Sequence, residues 1–264
     1  MSRIESTFKK LEEKKRAALI PFIVAGDPDL ETTEALVSKM ADSGADIIEL
    51  GLPFSDPLAD GPTIQAASQR ALKNGTSLGR IFRLTEKLKK ISSPLVLMTY
   101  FNPVFKFGLR DFAESCKQNG LEGVIIPDLP PEEAAPWVQE ARACDLDTIF
   151  LAAPTSGPER VRLISRRSRG FIYYVSVIGV TGAREELPNE LESGVRKIKG
   201  YGKKPVAVGF GVSTPAQAKM IGCFADGVIV GSAIVKIIEE SIRESSMISR
   251  VGDFVASLAK ALES

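Results

Sequence analysis

Apolar positions along this chain follow two alternating patterns. One is a short, continuous, partly β-branched run, the signature of a strand buried on both faces. The other recurs about every three to four residues, the signature of a helix with one apolar face. Residues 2–15 open with the second pattern: Ile4, Phe8 and Leu11 form a stripe that predicts a helix plugging or flanking the core. Residues 18–26 form the first continuous run, which Asp27-Pro28-Asp29 breaks. Residues 32–43 then read as a helix ended by Gly44, and 45–51 as the second strand.

The alternation persists to the end. Further strands are predicted over 94–100, 123–128, 147–153, 171–177, 205–209 and 225–230. Helices are predicted over 64–72, 78–91, 109–119, 131–143, 158–168, 190–200 and 215–222. A last helical stretch runs from 233 with a break near Ser245-Ser246. Strict alternation implies a parallel sheet. Eight strand–helix units in one 264-residue chain match an α/β fold of the (β/α)8 type, a single domain over 1–264 with one extra N-terminal helix. A doubly wound open sheet is the alternative, but Gly26-Asp27-Pro28-Asp29 after the first strand lacks its glycine fingerprint.

Composition removes several classes of function. A net charge of +1 gives no basic footprint for nucleic acid or a membrane surface. The polar N-terminus does not read as a signal peptide, and no apolar run reaches membrane-spanning length. Cys116, Cys144 and Cys223 are widely spaced and read as reduced, inert thiols of a cytoplasmic protein. The chain has no histidine. That removes histidine-based triads and the commonest zinc ligand, so acid–base work falls to Asp, Glu, Tyr, Lys or Cys. No predicted strand carries an internal lysine, so Schiff-base carbon–carbon cleavage is also disfavoured.

In such barrels the chemistry sits at the C-terminal strand ends. There the second strand ends in Glu49, a carboxylate costly to desolvate unless it is used or paired. Eleven residues on, Asp60 lies in a loop stiffened by Pro53, Pro57 and Pro62. Two acids on a strand end and a loop can face each other across a cleft, as acid–base chemistry requires. Gly209-Phe210-Gly211 and Gly231-Ser232 follow the seventh and eighth strands, and Ser232 opens a helix, which favours a phosphate ligand. The polar connection 179–189 reads as a lid. Met98, Tyr100, Phe210 and Leu58 could wall in a flat ring. Trp137 reads as packing, Arg166 to Arg169 as a solvated helix end, and Asp46 and Asp128 as either structural or site-adjacent.

The stretch 49–65, Glu-Leu-Gly-Leu-Pro-Phe-Ser-Asp-Pro-Leu-Ala-Asp-Gly-Pro-Thr-Ile-Gln, closely resembles the signature of the tryptophan synthase α-chain family. The similarity extends to the segments 20–28, 100–103, 126–130, 179–182, 209–213 and 231–235. It implies a TIM barrel that splits indole-3-glycerol phosphate into indole and glyceraldehyde 3-phosphate. It also implies a β-chain partner in an α2β2 complex; that partner would carry pyridoxal phosphate (PLP), and this chain would hold no cofactor or metal. By the same resemblance Glu49 is the general acid/base and Asp60 faces the indole nitrogen. Tyr173 matches a site tyrosine and Thr181 a lid threonine, while Gly182, Phe210, Gly211, Gly231 and Ser232 match the phosphate-binding set. Three other readings stay open: a stand-alone lyase of the same chemistry, a non-catalytic α-like activator, and a phosphosugar isomerase barrel. The last normally uses a cysteine, and none stands at a strand end.

Overall fold

The first helix shows how local sequence sets the architecture. In the computed structural model, which describes residues 1–175, 189–209 and 211–263, α1 (Arg3–Glu13) starts at Ser2. The Ser2 hydroxyl accepts the Glu5 amide at 3.2 Å, and the Glu5 carboxylate accepts the Ser2 amide at 3.2 Å. This reciprocal cap satisfies two donors that a helix start leaves free. The stripe Ile4, Phe8 and Leu11 then packs on Ile20, Val96, Ile125 and Phe171, inside the foot of the barrel.

The strands are β1 (Ala18–Val24), β2 (Ile48–Gly51), β3 (Leu95–Met98), β4 (Leu121–Ile125), β5 (Asp147–Ile149), β6 (Leu151–Ala152), β7 (Ile172–Val175), β8 (Val206–Gly209) and β9 (Gly227–Val230). All pair in parallel, in the order β5-β4-β3-β2-β1-β9-β8-β7-β6. β5 and β6 are the two halves of the predicted fifth strand, split at Phe150. The first half pairs with β4 and the second with β7. One segment therefore joins both ends of the sheet and closes the (β/α)8 barrel.

The helices that follow α1 are α2 (Leu30–Asp42), α3 (Pro62–Lys73), α4 (Leu78–Lys87), α5 (Phe101–Phe107), α6 (Leu109–Gln118), α7 (Ala135–Ala143), α8 (Pro158–Arg167), α9 (Asn189–Lys199), α10 (Pro215–Gly222), α11 (Ser232–Glu240) and α12 (Met247–Leu262). Among the described residues no helix is long and apolar enough to cross a membrane.

The period of two along each strand sorts side chains between barrel and shell. Leu19, Ile23, Ile48, Leu50 and Val208 pack outward beneath the helices. Ala18, Ile20, Ile47, Val96, Ile125 and Ile229 pack inward. Glu49 lies in register with Phe22 and Val96 and so belongs to the inward set.

Many predicted boundaries shift by a few residues. The 78–91 helix stops at Lys87, the 131–143 helix begins only at Ala135, the 123–128 strand runs instead from Leu121 to Ile125, the 94–100 strand shortens to Leu95–Met98, and the second strand is confined to Ile48–Gly51. The pattern also missed α5. Its proline, Pro103, sits in the first turn, where a missing N–H costs nothing, and Asp128 Oδ1 accepts the Phe101 amide at 2.8 Å. Asp128 is thus structural. So is Asp46, which accepts the Leu19 amide at 2.7 Å and pairs with Arg16. Arg169 is more than a solvated helix end, since it pairs with Asp145 at 2.7 Å and with buried Asp147 at 3.2 Å.

Candidate active site

A cavity of about 270 Å³ opens at the C-terminal ends of the strands. Its wall includes Glu49, Asp60, Met98, Tyr173, Gly211, Gly231 and Ser232, seven of the residues singled out from the sequence. It also includes Phe22, Ile64, Ile125, Leu151 and Ile229, which sequence reasoning did not name. Most of these are the last inward residues of their strands, and counting by twos from the apolar runs would have found them.

Glu49 is 1% exposed, and among the described residues neither of its carboxyl oxygens has a hydrogen-bond partner. Burial, and then the negative charge of Asp60, raises its pKa to about 8. The side chain is therefore a protonated acid at neutral pH that no described residue engages.

Asp60 reaches the cavity from the loop after β2. A Pro57 carbonyl accepts its amide at 3.1 Å, and Gln65 Nε2 donates to its carbonyl at 2.8 Å. Burial raises its pKa, and a hydrogen bond from Tyr100 opposes the rise. Tyr100 Oη donates to Asp60 Oδ2 at 3.1 Å and accepts the Ala59 amide at 2.9 Å, while its ring stacks on Phe54 at 5.1 Å. Tyr100 thus holds the loop and its carboxylate; Met98 lines the cavity wall. Leu58, expected as part of that wall, is 94% exposed and points away from it.

Tyr173 projects inward from β7, where burial, then the charges of Glu49 and Asp60, keep its phenol protonated. A Cβ on Gly209 would stand 2.5 Å from the Tyr173 ring and hydroxyl, so only glycine leaves the ring its place. Opposite, Gly231 caps α11 without a side-chain hydrogen bond. The first-turn amides of a helix have no partner within it and favour an anion. Gly211 adopts φ +39, and no described atom lies within 4 Å of where its Cβ would be. Thr181, Gly182, Phe210 and the predicted lid 179–189 lie outside the described residues, except that Asn189 begins α9.

The three cysteines stand away from the cavity, and among the described residues no cluster of acidic or thiol side chains forms a metal site. The arrangement therefore offers one protonated carboxyl, one carboxylate held by a tyrosine, apolar walls and a backbone cradle for an anion.

A family model described as tryptophan synthase alpha chain matches residues 8–263. The tryptophan synthase alpha chain of Geobacter sulfurreducens is 49% identical over 263 residues, covering 99% of each chain. The crystal structure of tryptophan synthase subunit alpha from Legionella pneumophila superposes with a TM-score of 0.93 at 36% identity, covering 99% of this chain and 98% of that one. A Mycobacterium tuberculosis tryptophan synthase structure does so with a TM-score of 0.93 at 39% identity, covering 100% and 99%. With Glu49 and Asp60 facing one cavity in a closed parallel barrel, and with matches of this extent, the chain belongs to the tryptophan synthase α-chain family.

Proposed function

We propose that this chain, a lyase subunit of tryptophan biosynthesis by its family, cleaves indole-3-glycerol phosphate by acid–base catalysis at Glu49 and Asp60. The observation that carries the reading is Glu49, a buried carboxyl that has no hydrogen-bond partner among the described residues and that burial keeps protonated at neutral pH.

Glu49 gives its proton to the ring carbon that bears the side chain. The positive charge that results rests largely on the ring nitrogen, opposite the Asp60 carboxylate, whose field in a dry site contributes a few kcal/mol, on the order of one oxyanion-type contact. The Glu49 carboxylate then takes the proton of the neighbouring side-chain hydroxyl. The O–H pair becomes the aldehyde C=O, the carbon–carbon bond breaks, and its electrons restore the aromatic ring. Glu49 ends protonated, ready for the next turnover. The cradle at Gly211, Gly231 and Ser232, with Gly182 and Phe210, holds the phosphate, a non-reacting part whose binding positions the bond to be broken. By the family pattern we give Thr181 the role of a lid threonine.

The second half of the proposal concerns assembly. Leu58 on the loop after β2 and Phe105 on α5, which follows β3, are 94% and 67% exposed. Such residues suit a partner surface, and we assign this face to a β chain in an α2β2 complex, in the cytoplasm. Pyridoxal phosphate would sit in that partner, and the chain, one domain over 1–264, would need no cofactor of its own.

Assay of the purified chain with indole-3-glycerol phosphate, following glyceraldehyde 3-phosphate, tests both halves. Slow cleavage alone and much faster cleavage with a β chain support the proposal. Fast cleavage alone favours the stand-alone lyase, and none under either condition overturns it.

A further inference from the structure

The cavity has two arms, each the start of a helix. The acid arm is the Asp60-Gly61 turn that opens α3, and the anion arm is Gly231-Ser232, which opens α11. These helices pack on each other through Ile64, Ala67, Ala71 and Val235, above Phe22 and Val24 of β1. Apolar packing of this kind is non-directional. One side chain adds directed contacts across it.

Arg70, on α3, reaches both neighbours. Its Nε donates to Asp27 Oδ1 at 2.8 Å and its Nη2 to Asp27 Oδ2 at 2.9 Å, a two-pronged pair. Its remaining prong, Nη1, donates to Glu239 Oε1 on α11 at 2.8 Å. Asp27 is 1% exposed, so its pair with Arg70 is well shielded from solvent. The turn that carries Asp27 is itself fixed. Gly26 has φ +88 and lies so close to Thr76 that a Cβ would stand 2.0 Å from its hydroxyl oxygen, and Asn74 Nδ2 donates to the Pro28 carbonyl. The guanidinium is thus one rigid plane joining the β1 turn, the acid-arm helix and the anion-arm helix.

We infer that Arg70 is a positioning residue that sets the spacing between the carboxylate arm and the anion-binding arm, so that a substrate spanning both meets Glu49 and Asp60 in reacting geometry. The inference rests on the functional reading above. Arg70 does not line the cavity and touches no reacting atom.

The test separates spacing from general damage by using ligands that occupy one arm or both. Glycerol 3-phosphate probes the anion arm, indole the ring arm, and indole-3-glycerol phosphate the two together. For Arg70→Met, each half-ligand should bind within about 3-fold of the unaltered chain, while kcat/KM for the whole substrate falls about 10- to 100-fold. Arg70→Met leaves Asp27 buried without a partner and can fail to fold. Glu239→Ala keeps the Asp27 pair and cuts only the link to α11; it should lower kcat/KM about 3-fold with half-ligand affinities unchanged. Arg70→Lys supplies the charge without the fork and should not restore the full rate. The inference is overturned if the half-ligands weaken as much as the whole substrate, or if Glu239→Ala and any folded Arg70 variant turn over normally. An unaltered chain that does not cleave the substrate defeats the functional reading, and this one with it. Normal turnover by the unaltered chain and its variants alike defeats this one alone.

Discussion

Tyr100 Oη lies 3.1 Å from Asp60 Oδ2 and 2.9 Å from the Ala59 amide, so one hydroxyl fixes both the backbone of the loop after β2 and its carboxylate. The bond it donates favours the ionised form of Asp60 and opposes the rise caused by burial. Tyr100→Phe keeps the ring stacked on Phe54 but removes that bond. The Asp60 pKa should then rise, and the acid limb of the pH–rate profile should move to higher pH. Turnover near pH 7 should fall about 10-fold, the size of one lost hydrogen bond to a charged group. An unmoved acid limb would show that the bond does not set the charge of Asp60.

Glu49 also makes a prediction about stability. Its folded pKa, about 8, lies above the ordinary 4.5. Between these values the unfolded chain releases the proton while the folded chain keeps it, so stability is fully present below pH 4.5 and declines until about pH 8. Glutamine at this position does not titrate. Glu49→Gln should therefore gain on the unaltered protein as pH rises, by on the order of a few kcal/mol at pH 8 and above. Chemical denaturation at pH 5 and pH 8.5 measures the difference, and equal gaps at both would contradict the buried-acid assignment.

Gly209→Ala places a methyl 2.5 Å from the Tyr173 ring, within a wall of short strands that cannot yield. Tyr173 must leave its inward position. We expect kcat/KM to fall by about 10- to 100-fold, with a loss of about 1–3 kcal/mol in stability from overpacking. Gly211→Ala meets no described atom within 4 Å, but its φ of +39 strains any residue with a Cβ; it should cost about 1–2 kcal/mol through the backbone alone and act mainly on affinity for the phosphate end, a contrast that substrate saturation curves resolve.

At the other end of the barrel, the Ser2 hydroxyl donates to Asp147 Oδ2, and Arg169 pairs with Asp147 at 3.2 Å. This cluster fastens α1 beneath the barrel and is far from the cavity. Asp147→Ala should lower stability by about 2–4 kcal/mol and leave kcat/KM within about 2-fold. A large change in kcat/KM in the folded variant would show that the two ends are coupled.

What was legible in the sequence follows from what is local. The eight strand–helix units announced themselves because each apolar run folds against its immediate neighbours, and Glu49 stood out because a charge interrupts such a run. Asp60 was visible through its prolines. The Tyr100–Asp60 bond was not, because its partners are 40 residues apart and only closure of the barrel brings them together. Tyr100 consequently read as a wall when its hydroxyl holds the loop. Leu58 misled for a related reason: an apolar residue beside a catalytic loop reads as lining, but the turn at Asp56 and Pro57 sends it outward. The helix α5 was hidden behind Pro103, which breaks helices everywhere except in the first turn. Arg70 carried no signal in the sequence, since neither Asp27 nor Glu239 is near it along the chain.

The central claim is that Glu49 moves the proton that breaks the carbon–carbon bond. The most direct measurement is single-turnover cleavage of indole-3-glycerol phosphate by Glu49→Gln, with substrate affinity measured on the same protein. The cleavage rate should fall about 10²–10⁴-fold or more, with affinity changed by no more than about 3-fold. Cleavage at the unaltered rate, or a loss that lies wholly in affinity, would contradict it.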